Sequence, residues 1–258
     1  PEIDLPAHSL AFTSKFKELS LKAPEAADQL DLSKIETWEL AEGLWQEQTE
    51  NFSDCPLVHI GGDEYFGNPD EYHGFMEYLA ENREREGKNV RLWGSLSKIK
   101  GSGTIPAFYS QNPSETSSQK REMLIWNTYW ADPREMREKG FSLINANHGE
   151  LYLIPGGGQD WLDKEDFYQH FAVNRFPLDG PDGLPTGDAI LMPKEALTGA
   201  QLTLWNDFTG TIENGMDEQD MLLRLRDAIP YFAQKTWHGE ETVLEYEQFQ
   251  NLISLITL

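Results

Sequence analysis

Short apolar and β-branched runs alternate along the chain with stretches of helical periodicity. Six runs predict strands, at residues 2–5, 56–60, 89–93, 123–126, 141–145 and 201–205. Strands that alternate with helices favour parallel βα units, because a parallel pair needs a long crossover between its strands. The pattern therefore predicts an α/β fold of the (β/α)8 TIM-barrel type, as one domain over residues 1–258.

Helix signals occupy the intervals between the predicted strands. Asn68 is a capping residue and Pro69 a first-turn proline, and Gly87 marks the end of the helix that they start. The same signals recur between residues 132 and 140. Helical periodicity without such clear ends is found in two longer regions, residues 24–52 and 217–237.

The predicted strands are two fewer than a closed eight-stranded barrel needs. Residues 101–120 and 177–193 are rich in Gly, Pro, Ser and Asp, which predicts loops on the barrel rim instead of further strands. The chain also starts with Pro1 and not with Met, which favours a processed or excised piece of a longer protein. We therefore expect an incomplete barrel.

Composition narrows the range of partners. With 44 acidic and 21 basic residues the net charge is -23, which disfavours nucleic acid and anionic membrane surfaces. No apolar run approaches the ~18 residues of a membrane-spanning helix, so no membrane insertion is expected. Cys55 is the one cysteine, which excludes a disulfide framework and a cysteine-based zinc site. The aromatic content of 12% suits stacking on sugar faces and equally suits an ordinary core.

The strongest chemical signal is the segment LVHIGGDE at residues 57–64, an apolar strand that ends in two glycines and two acids. Functional residues gather at the carboxyl ends of parallel strands. Two adjacent carboxyl groups are hard to ionise together, so one can keep a proton, as a departing glycosidic oxygen requires. The segment therefore predicts Asp63 and Glu64 as the catalytic pair of a sugar-cleaving enzyme.

Two other interpretations of this segment stay open. Asp63 could cap the next helix, although capping explains neither the second acid nor His59. Alternatively, His59, Asp63, Glu64 and His73 could hold a divalent metal ion for hydrolysis. The favoured interpretation needs neither a metal nor a cofactor.

A second candidate site follows the first predicted strand, where residues 1–8 read PEIDLPAH. Asp4 and His8 lie four residues apart across Pro6. A carboxylate that pairs with an imidazole fixes the ring tautomer and offers a polar edge to a ligand. Taken alone, a structural Asp–His contact is the better interpretation, and the neighbouring acid pair shifts the balance towards function.

Together these two motifs resemble those of glycoside hydrolase family 20, the β-N-acetylhexosaminidases. In that family the third barrel strand ends in a Pro-Glu-Ile-Asp-x-Pro-Gly-His-like segment and the fourth in His-x-Gly-Gly-Asp-Glu, the order found here. The resemblance continues through later aromatic positions to about Trp237. It implies that barrel strands 3–8 are present and the first two βα units missing, and it makes a missing N-terminal part of the barrel a candidate partner.

The resemblance implies a role for each candidate residue. Glu64 is expected to be the general acid and later the base, while Asp63 orients the substrate's 2-acetamido group, whose carbonyl oxygen attacks the anomeric carbon. Tyr152 is expected to hydrogen-bond the acetamido oxygen, and Asp207 to hold ring hydroxyls. The remaining substrate-binding candidates are Asp4, His8, His59, Trp93, Trp126 and Trp205.

The implied activity is retaining release of β-linked N-acetylhexosamine from the non-reducing ends of oligosaccharides or glycoconjugates, through an oxazolinium intermediate. Three positions depart from the family's pattern: Ala7 replaces glycine, Asp207 replaces glutamate, and Ile154 stands where an aspartate is usual. The Pro-Ala-His and Trp-Asn-Asp forms resemble the lacto-N-biosidase branch, which makes release of a disaccharide one alternative. A non-catalytic sugar-binding barrel fragment is another. The acidic composition and the implied activity predict a secreted or cell-surface bacterial protein.

Overall fold

The computed structural model of the protein describes residues 1–101, 121–211, 215–238 and 244–256. The chain divides into two compact units. The first unit comprises Pro1–Leu124 and Trp130–Ser142, and the second comprises Ile125–Tyr129 and Leu143–Leu258. Within the described ranges, no helix has both the length and the apolar character that crossing a bilayer requires.

Parallel strands form the centre of the first unit. They are neighbours in chain order: β1 (Glu2–Leu5), β2 (Leu57–Gly61), β3 (Asn89–Trp93) and β4 (Glu122–Ile125). The register pairs Leu5 with Gly61 and Trp93 with Leu124. The predicted α/β class and parallel order are thereby confirmed, and the carboxyl ends of β1 and β2 lie at one edge of the sheet.

The α-helices described in the first unit are α1 (Leu10–Thr13), α2 (Ile35–Asn51), α3 (Pro69–Arg85) and α4 (Pro133–Glu138). Two of them, α3 and α4, begin at capping residues that the sequence predicts. The Asn68 side chain accepts hydrogen bonds from the amides of Asp70 and Glu71 at 2.9 and 3.3 Å, which confirms the predicted start of α3. Asp132 caps α4 in the same way, by accepting from the Arg134 amide.

The prediction of helix throughout residues 24–52 is wrong in its first part. Pro24–Ala26 form a 3₁₀ turn, and α2 begins only at Ile35. The intervening backbone pairs with the loop after β1: the Leu30 amide donates to the Pro6 carbonyl at 2.9 Å, and the Ser9 amide donates to the Asp28 carbonyl at 2.7 Å. These long-range bonds take the place of helical ones.

Aromatic side chains of α2 and α3 form the core of the first unit. Trp38 and Phe75 are fully buried, and their rings meet edge-on with centroids 5.1 Å apart. The Trp38 indole donates to the Leu32 carbonyl at 2.9 Å, so its one polar group is satisfied. The buried face of α3 therefore packs against α2.

The second unit contains three strand pairs. β5 (Ser142–Asn145) runs parallel to β9 (Leu197–Ala200), β6 (Tyr152–Leu153) runs parallel to β10 (Thr203–Leu204), and β7 (Arg175–Asp179) runs antiparallel to β8 (Pro185–Leu191). The strand predicted at 201–205 is thus only two residues long. The loop predicted at 177–193 is wrong, because most of it forms the β7–β8 hairpin; the loop predicted at 101–120 lies outside the described residues except for Gly101.

The helices of the second unit pack around an aromatic cluster. They are α5 (His148–Leu151), α6 (Lys164–His170), α7 (Glu218–His238) and α8 (Tyr246–Ile256), of which α7 was predicted and α6 and α8 were not. The cluster consists of Leu151, Phe167, Tyr168, Phe171, Tyr231 and Phe249. Because α6, α7 and α8 each contribute to it, this cluster is the core of the second unit.

Replacing Phe75 with alanine tests the assignment of the first core. Phe75→Ala removes a fully buried ring, and we expect the free energy of unfolding to fall by about 3–5 kcal/mol. Urea unfolding followed by circular dichroism measures the change. Phe52→Ala is the matched control, since that ring is 45% exposed, and an equal loss in both variants would contradict the assignment.

Candidate active site

The turn after β2 places two acids at the end of the strand. Gly61 has a φ of 70°, and a Cβ at this position would lie 2.6 Å from the Asp4 Cα, so glycine lets the ends of β1 and β2 come together. Gly62 has a φ of 108°, which side chains rarely adopt. Asp63 and Glu64 follow, and Glu64 itself has a left-handed φ of 51°.

Four of the predicted site residues meet at this point. The His8 Nε2 lies 3.7 Å from the Asp63 Oδ2 and 3.5 Å from the Glu64 Oε2. One side-chain oxygen or nitrogen from each of Asp4, His8 and Asp63 lies within 4.8 Å of the others. The Asp63 side chain is 15% exposed and that of Glu64 is 41% exposed, so the pair faces an opening.

Burial and crowding set the charges in this cluster. Burial, followed by the charge of Asp63, raises the pKa of Asp4 to about 8. Interaction with the Asp63 carboxylate raises the pKa of His8 to about 9. Burial, followed by the charge of Asp63, also raises the pKa of Glu64. At neutral pH Asp4 therefore holds a proton and His8 is a cation, while Glu64 keeps its proton to higher pH than an ordinary glutamate, as a general acid must.

The buried Oδ1 of Asp63 accepts no hydrogen bond from an N–H or hydroxyl group of the described residues. The Asp63 side chain does hydrogen-bond the Asp4 carboxyl, which holds a proton. A carboxylate oxygen has more than one lone pair, so Oδ1 can accept a further N–H from a ligand, such as that of an amide.

Gln29 holds the backbone around Glu64, and the sequence analysis did not identify it. Its side chain is 2% exposed; its Nε2 donates to the Glu64 carbonyl at 2.8 Å, and its Oε1 accepts from the Phe66 amide at 2.8 Å. The two ends of one side-chain amide therefore bind the backbone on either side of Tyr65, directly after the residue with the left-handed φ. Since 35 residues separate Gln29 from Glu64, no local signal could have revealed the contact.

His59 and Trp93 are buried, and both lie close to the exposed Glu2 side chain. The exposed fractions of His59 and Trp93 are 7% and 2%, and their ring centroids are 5.2 Å apart. The Trp93 indole donates to the Glu2 Oε1 at 2.8 Å, and the His59 Nδ1 accepts from the Gly61 amide at 3.1 Å. Burial lowers the pKa of His59 to about 3, so its imidazole is neutral. The predicted substrate contacts of both residues stay predictions.

The four residues of the alternative metal site are not brought together as one group of ligands. The His73 Nε2 lies 2.6 Å from the Ile99 carbonyl, and neither His59 nor His73 has a ring nitrogen in the described group with metal-compatible spacing. Within the described residues, the group with metal-compatible spacing is Asp4, His8 and Asp63, which also contains the acid of the sugar-cleaving interpretation. The geometry of His59 and His73 therefore favours that interpretation over a four-ligand metal centre.

The remaining predicted residues belong to the second unit. The rings of Tyr152 and Trp205 lie 5.4 Å apart, because β6 and β10 pair and the Trp205 amide donates to the Leu153 carbonyl at 2.9 Å. Trp126 and Tyr152 each contact the His148 ring at 6.3 Å. Asp207 is exposed. Three of the four predicted residues thus share one aromatic group within their unit.

A buried polar pair, missed by the sequence analysis, fixes this aromatic group. The Asp179 carboxylate is fully buried and lies 3.2 Å from the His148 Nε2. Thr128 donates to the Asp179 Oδ2 through its amide at 2.8 Å and through its hydroxyl at 3.2 Å. Asp179 lies on a strand that was predicted as loop, so nothing in the sequence indicated the pairing.

A parallel α/β fold with paired acids beyond the end of a strand defines the class of protein: an α/β-barrel protein with a carboxylate site. The sequence profile described as glycosyl hydrolase family 20, catalytic domain, matches residues 1–219, and the chain belongs to this family. A chitooligosaccharidolytic β-N-acetylglucosaminidase of Bombyx mori is 28% identical over 94% of this chain. The chain spans 44% of the length of that relative.

Solved structures share the fold. The β-N-acetylhexosaminidase from Bacteroides fragilis NCTC 9343 superposes with a TM-score of 0.67 at 17% identity, covering 100% of this chain and 51% of that one. A mutant Streptomyces plicatus β-hexosaminidase in complex with GlcNAc superposes with a TM-score of 0.53 at 18% identity, covering 90% and 50%. The predicted barrel-type fold and the predicted family are therefore confirmed.

The raised pKa of Asp4 predicts a pH-dependent stability. Folded Asp4 keeps its proton to about pH 8, whereas an unfolded aspartate loses it near pH 4. Between these values the folded state binds more protons, so this group's contribution to stability falls as pH rises. We expect the melting temperature of Asp4→Asn to rise relative to wild type between about pH 5 and about pH 8. The exposed Asp54→Asn control should parallel wild type, and parallel curves for Asp4→Asn would refute the assignment.

Removing the Gln29 amide tests its role as a positioning residue. Gln29→Met keeps the approximate volume and deletes both hydrogen bonds, so we expect kcat on an aryl N-acetyl-β-glucosaminide to fall roughly ten- to a hundredfold with little change in KM. Steady-state kinetics below the melting temperature measure the split. Gln46→Met, on the exposed face of α2, is the control. A proportionate change in KM alone would argue for a purely structural role.

Proposed function

We propose that the protein is a retaining glycosidase of the β-N-acetylhexosaminidase type, acting by substrate-assisted catalysis on non-reducing ends of oligosaccharides or glycoconjugates. The observation that carries the proposal is the cluster around Asp63 and Glu64. It combines an acid with a raised pKa, a second acid whose buried oxygen accepts no N–H, and a neighbouring cation. These are the groups that cleavage of a 2-acetamido glycoside requires.

Glu64 moves the proton in both steps of the proposed reaction. In the first step it donates its proton to the glycosidic oxygen as the bond from that oxygen to the anomeric carbon breaks. The substrate's own acetamido carbonyl oxygen attacks the anomeric carbon and forms the oxazolinium ion. In the second step the Glu64 carboxylate accepts a proton from the water that opens this ion, which restores the acid and retains the anomeric configuration.

Asp63 binds and orients the acetamido group. Its Oδ1 accepts the amide N–H, which orients the carbonyl oxygen towards the anomeric carbon and stabilises the positive charge that develops on the amide. The cationic His8 lies 3.7 Å from the other oxygen and adds a positive charge beside the three carboxyl groups. Asp4 contributes by staying neutral, since a negative charge on it would repel the carboxyl groups of Asp63 and Glu64 when these are ionised.

Residues of the second unit are proposed to bind the sugar on the strength of the family resemblance. Tyr152 hydrogen-bonds the acetamido oxygen, and Trp126 and Trp205 contact the acetyl methyl and the sugar ring. Asp207 binds hydroxyl groups of the sugar ring. Trp93, in the first unit, is likewise proposed to contact the sugar. The aromatic grouping of Tyr152 and Trp205 at 5.4 Å supports this part of the proposal.

N-acetylglucosamine is the proposed released sugar. The Bombyx mori relative is described as chitooligosaccharidolytic, and the Streptomyces plicatus structure contains GlcNAc. A secreted or cell-surface location is proposed with it, because polymeric substrates of this kind lie outside cells. Release of a disaccharide is the second candidate, which the shorter Asp207 carboxyl favours because it reaches sugar hydroxyls differently from glutamate.

Replacing the proposed general acid tests the function. Glu64→Gln keeps shape and removes the transferable proton, so kcat/KM on an aryl N-acetyl-β-glucosaminide should fall about 10²–10⁴-fold. Release of the aryl alcohol, followed by absorbance, is the measurement, and the exposed Glu25→Gln is the control. Equal rates for wild type and Glu64→Gln would remove the catalytic assignment.

The same assay separates the alternatives. Faster release from an aryl lacto-N-bioside than from the monosaccharide glycoside would favour the disaccharide activity. Binding of N-acetylglucosamine without turnover of either substrate would favour a sugar-binding protein. Loss of activity on chelation would favour a metal-dependent hydrolase.

A further inference from the structure

A histidine whose two ring nitrogens have different surroundings lies next to two of the proposed sugar-binding rings. The centroid of the His148 ring is 6.3 Å from that of Trp126 and 6.3 Å from that of Tyr152, and both contacts are T-shaped. The His148 amide donates to the Trp126 carbonyl at 2.8 Å, so the backbone holds the imidazole beside the indole. The His148 side chain is 23% exposed, and the proposed reaction has not yet given it a role.

Both hydrogen-bond partners of the imidazole approach the same nitrogen. The Asp179 Oδ1 lies 3.2 Å from the His148 Nε2, and the Asn127 Nδ2 lies 3.4 Å from it. Within the described residues the other nitrogen, Nδ1, has no hydrogen-bond partner, and it is not one of the buried polar atoms that lack a partner. Nδ1 is therefore open to solvent and to a ligand.

Asp179 determines which ring nitrogen carries the proton. Its carboxylate is fully buried; one oxygen accepts from the Thr128 amide at 2.8 Å, and the other faces the ring. A carboxylate oxygen accepts hydrogen bonds, whereas the Asn127 amide nitrogen can only donate them. Asp179 is therefore the acceptor for an N–H at Nε2, and the neutral imidazole presents Nδ1 as an acceptor.

The N-acyl group is the part of the proposed substrate that lies nearest to this ring. Tyr152 is proposed to bind the acetamido oxygen and Trp126 to contact the acetyl methyl, and the His148 ring packs against both. An N-acetyl group has one donor, its N–H, which the proposed reaction assigns to Asp63. An acceptor at His148 therefore finds a donor when the acyl group carries a hydroxyl of its own, as an N-glycolyl group does.

We propose that His148, oriented by Asp179, is a specificity-determining residue that admits N-glycolyl sugars to the site, because its Nδ1 accepts a hydrogen bond from the glycolyl hydroxyl. This inference rests on the proposed function and adds a substrate class to it. A site that accepts a hydrogen bond from a substrate hydroxyl discriminates against analogues without that donor, since binding them removes water from the acceptor and replaces it with nothing.

The experiment compares an acyl group that can donate with one that cannot. The substrates are 4-nitrophenyl β-D-glucosaminides with an N-glycolyl group or its O-methyl ether, N-methoxyacetyl, and the readout is the ratio of their kcat/KM values at about pH 8, where an ordinary histidine is neutral. His148→Phe keeps a ring and removes both nitrogens, so the glycolyl-to-ether ratio should fall about three- to tenfold, as for one lost hydrogen bond. His170→Phe, at an exposed histidine of the same unit, should keep the wild-type ratio.

Asp179→Asn tests the orientation of the proton without changing the imidazole. The Thr128 amide needs an acceptor, so the new side-chain oxygen stays beside it and the new NH2 group faces the His148 Nε2. Nε2 must then accept, the proton moves to Nδ1, and the glycolyl-to-ether ratio should fall because an N–H binds either acyl oxygen. Asp188→Asn makes the same change in charge at an exposed position of the β7–β8 hairpin and should leave the ratio unchanged.

NMR of the protein with ¹⁵N-labelled histidine reports the proton directly, and the His148 signals are those that disappear in His148→Phe. Wild type should show Nδ1 without a proton, and Asp179→Asn should show it protonated. A protonated Nδ1 in wild type would overturn the inference. An unchanged ratio in His148→Phe, with normal turnover of the N-acetyl glycoside, would also overturn it and leave the proposed function intact.

A binding measurement covers the case in which wild type hydrolyses none of these glycosides, so that the proposed function fails. Calorimetric binding of the corresponding thioglycosides then decides whether His148 selects the hydroxyl. Weaker binding of the N-glycolyl compound by His148→Phe, with unchanged binding of the ether, supports the contact. Equal binding of both compounds by wild type and variant, or binding of neither, rejects it.

Discussion

Crowding of negative charge at the ends of β1 and β2 is the constraint on which the proposed chemistry depends. Asp4, Asp63 and Glu64 converge there in a chain whose net charge is already -23. Ionising all three in a partly buried cluster is unfavourable, so the folded protein keeps a proton on Asp4 and a cation on His8. Burial, followed by the charge of Asp63, raises the pKa of Glu64 as well, and this links the stability of the cluster to its capacity to donate a proton.

The backbone around the cluster is held in costly conformations. His8 and Glu64 both have a φ of 51°, a region in which a non-glycine residue costs roughly 1–3 kcal/mol. The segment 28–30 supplies the support for both: its backbone pairs with the loop that contains His8, and the Gln29 side chain binds the Glu64 carbonyl. An irregular stretch that makes no helix thus keeps the two functional side chains in place.

The sequence predicted those features that local chemistry encodes. The caps at Asn68 and Asp132 each need only neighbouring residues, and the acid pair is recognisable from its own eight-residue segment. The contact between Gln29 and Glu64 joins residues far apart in the chain, so no periodicity or capping pattern signals it. The β7–β8 hairpin was not predicted for a different reason: β8 is exposed at six of its seven positions and contains Pro, Gly and Asp, so it lacks the apolar alternation that marks a strand.

Each unit holds predicted site residues with a buried polar side chain instead of with apolar packing alone. In the first unit Gln29 binds the backbone at Glu64, and in the second Asp179 binds the His148 ring beside Trp126 and Tyr152. Apolar contacts are non-directional, so they tolerate small rotations of a ring or a turn. A hydrogen bond loses strength within a few tenths of an ångström, and a buried amide or carboxylate left unpaired is penalised heavily. Buried polar groups therefore restrict the backbone at the acid, and separately the ring at the centre of the aromatic group, more closely than apolar packing does, as a reaction that depends on alignment demands.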